Sequence, residues 1–91
     1  MKNSVYLQMQ FCVYILRSLK NGDFYIGSTG DLDNRFKLHN CGKVKSTKAY
    51  IPWKLLEFRK CNNRGEAVRL EKFLKSHQQK DILKKKYMAT W

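Results

Sequence analysis

Cysteine and proline are both scarce in this chain of 91 residues, which has three cysteines and one proline. Because three is an odd number and no C-x-x-C pair occurs, we expect no disulfide framework and no disulfide partner. A zinc site built from these cysteines with His39 or His77 would have no recognised ligand spacing. The chain also has no low-complexity linker, so we expect one folded domain.

Long apolar runs are missing as well. No stretch approaches the roughly 20 apolar residues that a membrane span requires. Residues 1–10 are interrupted by Asn3, Gln8 and Gln10, whereas a secretion signal has a continuous apolar region. We therefore expect no membrane contact and a cytoplasmic location, and we assign residues 1–10 to an N-terminal extension that precedes a domain at 11–91.

Acidic residues are few. The chain has 7 Asp and Glu against 19 Lys and Arg, which gives a formal net charge of +12. Such an excess attracts polyanions such as DNA or RNA. The hydrophobic fraction of 43% exceeds that of disordered chains. Composition thus favours a small folded protein with a nucleic-acid partner, but it says nothing about catalysis.

Hydrophobic periodicity and turn residues predict an α+β domain, in which a small three-stranded antiparallel sheet is flanked by three helices. The predicted strands are 11–16, 24–27 and 52–58, and the predicted helices are 32–40, a segment after Asn63, and 80–87. Gly42 is expected to end the first helix. Asn63 and Glu66 resemble a capping pair for the second helix. In the third helix, Ile82 and Leu83 are expected to face inward.

The two tyrosines of the predicted hairpin, Tyr14 and Tyr25, can share one face of the sheet because side chains alternate along a strand. A four-residue loop at 19–22 would pair Tyr14 with Gly27 and make the tyrosines diagonal neighbours. A two-residue turn would keep them on that face but further apart, and we favour the longer loop. Gly27 would then leave an open spot for a ligand. The alternative is a pair of ordinary core tyrosines.

Three further polar side chains fall on the predicted helices. Arg35 and His39 are at i and i+4, so both project from one side of the first helix, where a guanidinium and an imidazole together would suit a phosphate. Glu71 lies on or beside the apolar stripe of the second helix, where a carboxylate needs a partner. That partner is either a divalent cation or, in the simpler alternative, Arg35.

Basic residues with interspersed aromatic residues suggest a nucleic-acid interface. The candidate nucleic-acid-binding residues are Lys43, Lys45, Lys48 and Lys54, with Lys84, Lys85 and Lys86 near the C-terminus and Tyr50, Trp53 and Trp91 as the aromatics. In the equally acceptable alternative, Trp53 packs in the core and the lysines are simply solvated.

In chain order, these segments resemble the GIY-YIG nuclease superfamily, and most closely its small single-domain bacterial members. The resemblance covers roughly residues 11–87. Its five motif stretches correspond to 13–16, 25–29, Arg35 with His39-Asn40, 52–55, and 71–75. No single piece is specific, but five pieces in the right order are.

The resemblance implies a metal-dependent endonuclease that hydrolyses phosphodiester bonds in DNA. Its catalytic residues would be Tyr14, Tyr25, Arg35, His39 and Glu71. Glu71 would hold a single Mg²⁺ or Mn²⁺ ion, and Arg35 would stabilise the charged phosphorus oxyanions. Tyr25 is the first choice to help deprotonate water, and Arg35 and the metal must lower its pKa or relay the proton, while His39 would orient or receive that proton. All of this requires the carboxyl of Glu71 to share a side of the sheet with Arg35 and Tyr25.

Two positions depart from the family pattern, since Cys12 stands where the motif has glycine and Ser28 stands where some catalytic relatives carry lysine. These departures keep open an alternative, a basic nucleic-acid-binding module with weak or lost nuclease activity. An adaptor for a protein partner is a third hypothesis, without specific support. Because small relatives lack an added DNA-reading module, we expect selectivity for DNA structure rather than sequence, in DNA repair or processing.

Overall fold

The computed structural model describes residues 11–88 and confirms the predicted α+β architecture. The proposed extension at 1–10 and the last three residues of the proposed domain lie outside the described residues. The strands are β1 (Cys12–Ser18), β2 (Phe24–Thr29) and β3 (Trp53–Lys60), and the helices are α1 (Leu32–Asn40), α2 (Arg64–Leu74) and α3 (His77–Met88).

The sheet is antiparallel, with the strand order β2-β1-β3. All seven residues of β1 are buried, as expected for a central strand covered on both faces. Side chains of alternate β1 residues enter two separate core clusters. Val13 and Ile15 pack with α2 and α3, whereas Tyr14 and Leu16 pack with α1. We call these two sides of the sheet the helical face and the tyrosine face.

Local chemistry fixes the helix ends. The carboxylate of Asp31 accepts a hydrogen bond from the backbone N–H of Asn34 at the start of α1, and Gly42 follows that helix with a φ of +76°, a conformation that favours glycine. Asn63 accepts from the N–H of Glu66, while the Glu66 side chain accepts from the N–H of Asn62. This confirms the predicted capping pair of α2.

Some predicted boundaries and one predicted orientation were wrong. Strand β3 begins after Pro52 and runs on to Lys60, and α3 begins at His77 rather than residue 80. Ile82 is 51% exposed, although Leu83 is buried as expected. Leu83 and Tyr87 both pack against the helical-face core. Because that pair is four residues apart, it defines the inner side of α3 and turns Ile82 away from it.

Candidate active site

The hairpin brings Tyr14 and Tyr25 together on the tyrosine face. Ser18 donates a backbone hydrogen bond to the carbonyl of Asp23 over 2.8 Å, which closes a loop of four residues. Tyr14 is therefore paired with Gly27, as predicted for the longer loop. The ring centroids of the two tyrosines are 6.2 Å apart, so the tyrosines are diagonal neighbours on one face.

Gly27 does not leave an open spot for a ligand, contrary to the expectation from the sequence. A Cβ atom at this position would lie 2.7 Å from the Tyr14 hydroxyl oxygen and 3.0 Å from a ring carbon of Tyr25. The ring of Tyr14 lies across the strand and fills the space that the missing side chain leaves. Glycine is therefore needed so that the tyrosine rings can approach the backbone of β2.

Arg35 joins the two tyrosines from helix α1. Its interaction with the Tyr14 hydroxyl is the largest cause of a raised Arg35 pKa, and the nearby Tyr25 raises that pKa further. Helix α1 places the guanidinium there because Leu32 and Phe36 pack against the core of the tyrosine face, which orients the neighbouring position toward the hydroxyl groups. One cation and two phenol groups thus converge at the surface of the sheet.

His39 is fully buried behind Tyr14 rather than exposed beside Arg35. Its Nε2 lies 2.9 Å from the Tyr14 hydroxyl, and its Nδ1 lies 2.8 Å from Oγ1 of Thr47. The Thr47 hydroxyl donates to the carbonyl of Val44, so it accepts from Nδ1–H. We therefore assign the imidazole proton to Nδ1, which makes Nε2 the acceptor of the Tyr14 hydroxyl proton.

Burial is the largest cause of the pKa shifts of Tyr14 and His39. The pKa of Tyr14 is raised to about 12, first by desolvation, although the hydrogen bond from Arg35 opposes the change. The pKa of His39 is lowered to about 4 by burial and by the charge of Arg35. For Tyr14, loss of hydration therefore outweighs the nearby cation.

The carboxylate of Glu71 contacts Ser28 and Lys75 rather than Arg35. One carboxylate oxygen accepts a hydrogen bond from the hydroxyl of Ser28 over 2.7 Å, and the other lies 2.7 Å from the Lys75 ammonium. Burial raises the pKa of this carboxyl, but the hydrogen bonds from Lys75 and Ser28 outweigh that effect and lower it. The carboxylate is therefore ionised at neutral pH, and the salt bridge to Arg35 considered from the sequence is replaced by one to Lys75, the residue that follows α2.

The carboxylate of Glu71 reaches the site only at the edge of the sheet. Helix α2 packs on the helical face, and Ser28 points to that face because it pairs with the buried Val13. Strand β2 is an outer strand, however, and the charge of Glu71 contributes to the raised pKa of Tyr14. The requirement that this carboxyl share a side of the sheet with Arg35 and Tyr25 is therefore not met in full. The carboxylate lies at the β2 edge, within electrostatic range of Tyr14 across the strand, and an ion shared with the site could bind only at that edge.

The candidate nucleic-acid-binding lysines divide into two groups. Lys43, Lys45 and Lys48 are exposed in the loop after α1, which is tied to the site because Thr47 contacts His39. Lys54 is also exposed, but it pairs with Arg17 on β1 and so belongs to the helical face.

Trp53 is buried and donates its indole N–H to the carbonyl of Thr47. The core alternative is therefore correct for this aromatic residue, and Trp53 is not available for stacking on bases. Trp91 lies outside the described residues.

Within residues 11–88, no cluster of three metal-binding His, Cys, Asp or Glu side chains occurs. The zinc alternative with His39 has no support, since both nitrogens of that ring are already hydrogen-bonded. In the same range, no helix is long and apolar enough to cross a bilayer.

Two residues of the site were missed or misread from the sequence. Ser28 was noted from the sequence only as a departure from the lysine of some catalytic relatives, but its hydroxyl donates a hydrogen bond to the carboxylate of Glu71. Thr47 was part of an unassigned polar loop, yet it is buried and hydrogen-bonded to His39. Nothing in the sequence separates Thr47 from its polar neighbours, because its burial depends on how the loop folds back over α1.

Comparison with known families gives an independent match. The family described as "GIY-YIG catalytic domain" matches residues 10–87, which contain every described side chain of the site.

Among individual proteins, the chain is similar to bacterial proteins named UPF0213. It is 38% identical over 64 residues to one from Streptococcus pneumoniae serotype 4, a match that covers 69% of this chain and 64% of that protein. A protein of Streptococcus agalactiae serotype V is 39% identical over 64 residues, covering 69% and 72% of the two chains.

A solved structure is similar as well. The solution NMR structure of the UPF0213 protein BH0048 from Bacillus halodurans is 37% identical, covers 82% of each chain and superimposes with a TM-score of 0.51.

Proposed function

The chain belongs to the GIY-YIG catalytic domain family, and from that premise we propose that it is a metal-dependent endonuclease that hydrolyses phosphodiester bonds in DNA. The observation that carries the proposal is the pairing of Tyr14 and Tyr25 on one face of the sheet, with Arg35 close enough to act on both and the ionised Glu71 across the edge strand. We propose selectivity for DNA structure rather than sequence, and a role in DNA repair or processing in the cytoplasm.

Arg35 is suited to bind the phosphate under attack. Guanidinium groups form paired hydrogen bonds with phosphate oxygens, and negative charge on those oxygens grows in the transition state. Because Arg35 already lies beside Tyr14 and Tyr25, little reorganisation would be needed when a phosphate arrives. Arg35 would therefore stabilise the transition state more than the bound substrate.

The two tyrosines would have different tasks. Tyr25 is partly exposed, so it can reach water near the phosphate and help remove its proton. Tyr14 is buried, and its hydroxyl proton is engaged by His39. Since the pKa of Tyr14 is about 12, it would act as a neutral group that positions Arg35, and His39 with Thr47 would orient Tyr14.

The donor set fits a magnesium or manganese ion that takes a single protein ligand. Mg²⁺ binds through one or two carboxylates and keeps several waters, and Glu71 is an ionised, partly exposed carboxylate held by Ser28. When bound, such an ion would neutralise charge on the phosphate and on the leaving oxygen. The ammonium of Lys75 would have to release its carboxylate oxygen first, and the ion would lie at the β2 edge.

The decisive test is a cleavage assay on linear, flapped and branched DNA with Mg²⁺ or Mn²⁺. We expect cleavage that stops with EDTA and falls by roughly 100-fold or more in Arg35→Ala and in Glu71→Gln. Lys37→Ala serves as the matched control, because Lys37 is an exposed cation on the same helix and outside the site. Cleavage that is unchanged in both site variants would rule out this mechanism.

The ion pair between Glu71 and Lys75 favours the second candidate, a nucleic-acid-binding module with weak or lost nuclease activity. That candidate predicts binding that weakens with salt and no metal-dependent loss of intact substrate. The same panel of DNA structures, measured for binding in EDTA and for cleavage in Mg²⁺, separates the two.

A further inference from the structure

One large aromatic side chain on the tyrosine face takes no part in either core. Phe58 of β3 is paired with Tyr14 of β1 in the antiparallel register, so the two side chains are direct cross-strand neighbours. Directly opposed residues have Cβ atoms about 4.5–5.5 Å apart. Phe58 is nevertheless 47% exposed and belongs to neither hydrophobic cluster.

Helix α1 packs on the tyrosine face without covering Phe58. Leu32 and Phe36 of α1 contact the core that Tyr14, Leu16 and Trp53 form, and Phe58 is outside that core. Beyond Phe58, β3 continues to Lys60, which is exposed and is paired with Cys12. An exposed aromatic ring and then a cation therefore follow Tyr14 along this face.

From this arrangement we propose that Phe58 is a stacking platform for an unpaired base of the nucleic-acid substrate, and that Lys60 contacts a phosphate of the same strand. An exposed ring beside a phosphate site can stack on any base, since every base has a π face. A base inside a duplex cannot reach such a ring without leaving its stack. The platform thus selects single-stranded, flapped or unwound substrates.

This inference rests on the proposed function, because it assigns a substrate class to the same site. The two can still fail separately. Absence of metal-dependent cleavage would reject the nuclease but leave the base preference of binding measurable. Retained cleavage with no base preference would reject the platform alone.

The experiment compares binding of two labelled oligomers of equal length and charge, one a normal single strand and the other a strand that is abasic throughout. Fluorescence anisotropy in EDTA gives both dissociation constants without cleavage. We expect wild type to bind the normal strand roughly 5- to 150-fold more tightly, the range for stacking on one aromatic ring. Phe58→Ala should abolish this ratio and leave binding to the abasic strand unchanged.

Three companion variants make the result specific. Phe58→Tyr keeps a ring and should retain the ratio, whereas Phe58→Leu keeps an apolar side chain without a ring and should lose most of it. Phe73→Ala is the matched control, because Phe73 is 55% exposed but lies on α2, and it should behave as wild type. A melting curve for each variant checks folding, which an exposed position should not disturb by much.

Three outcomes would overturn the platform. The first is a wild-type protein that does not distinguish the two strands, as expected if the exposed ring serves a protein partner. The second is a ratio that survives in Phe58→Ala. The third is an equal loss of affinity for both strands in Phe58→Ala, which would indicate a general structural effect.

Discussion

The protonation state of a residue in the site depends on the groups that surround it, and His39 is the clearest case. Its ring is completely buried and hydrogen-bonded at both nitrogens. Adding a proton would place a charge in the core close to Arg35 and would remove the lone pair that accepts from Tyr14. Burial and the arginine together lower the His39 pKa to about 4, so the imidazole is neutral whenever the protein is folded near neutral pH.

We predict from this that the protein loses stability as the pH falls from 6.5 toward 4. In that window the unfolded chain protonates His39, with a pKa near 6.5, whereas the folded chain does not. The unfolded state therefore binds more protons, and the free energy of unfolding decreases with falling pH. The full shift corresponds to about 3 kcal/mol. Urea unfolding at a series of pH values measures it.

The His39→Gln variant should be less stable at pH 7 but should show a flatter profile in the same window. His77→Gln is the control, because its side chain is 94% exposed, and it should retain the wild-type slope. Identical slopes for wild type and His39→Gln would contradict the buried neutral imidazole.

Lys75 is predicted to compete with the metal for Glu71. Its ammonium lies 2.7 Å from one oxygen of the carboxylate, at a place where a cation would bind. Lys75→Met should lower the Mg²⁺ concentration for half-maximal cleavage by up to roughly fivefold, the value of one exposed ion pair. A Mg²⁺ titration of the cleavage rate measures this change.

Lys72→Met provides the comparison, because it removes the same charge from an exposed position of α2. If both variants shift the midpoint equally, the effect comes from overall charge and not from competition at the carboxylate.

At the scale of elements, strand β2 matters for the site because its Gly27 leaves room for the ring of Tyr14. Gly27→Ala would place a methyl group 2.7 Å from the hydroxyl oxygen of Tyr14, so the ring must move. We expect a loss of about 1–3 kcal/mol in stability and a decrease in cleavage of up to roughly 100-fold, since the ring holds Arg35 in place. Chemical unfolding and single-turnover cleavage measure the two effects.

Gly65→Ala is the matched substitution in helix α2, and the opposite sign is expected. Its new Cβ would meet side-chain atoms no closer than 3.4 Å, which is an ordinary contact. Alanine in a helix should then raise stability by roughly 0.5–1 kcal/mol and leave cleavage unchanged. A destabilised Gly65→Ala, or a fully active Gly27→Ala, would contradict the stated reason for glycine in β2.

The elements themselves were largely predictable from the sequence, because their signals are local. The buried strand β1, the loop length before β2 and the capping pair at Asn63 and Glu66 all depend on neighbouring residues. The burial of individual side chains, and the partners that they contact, were not predictable. The spacing of Arg35 and His39 places them on one side of α1, but the burial of His39 depends on Thr47 in a loop that the pattern does not describe.

At the scale of the whole molecule, the position of Glu71 illustrates the same limit. Its place on a helix was predictable, whereas the face of the sheet on which that helix packs depends on the entire chain path. The net charge of +12 could likewise be counted from the sequence, but the distribution of the charges over the surface could not be predicted. Lys43, Lys45 and Lys48 are exposed on the loop that is tied to the tyrosine face, and Lys54 belongs to the helical face.

This distribution predicts which lysines bind the nucleic-acid backbone. A protein that neutralises phosphates releases counterions, and the slope of log affinity against log salt is about −0.9 per phosphate on duplex DNA. Replacing Lys43, Lys45 and Lys48 with glutamine should therefore make this slope less steep by up to about 2 or 3. Binding titrations on one DNA duplex at several salt concentrations in EDTA give the slope.

The matched control removes the same charge from the helical face through glutamine at Lys54, Lys84 and Lys85. It should leave the slope close to that of wild type, because phosphates bound on the tyrosine face lie beyond the reach of those side chains and water and salt screen exposed charges over roughly 10 Å. If both triple variants change the slope equally, net charge alone drives binding. DNA would then have no preferred face on this protein, and an active site on the tyrosine face would receive its substrate without help from the loop lysines.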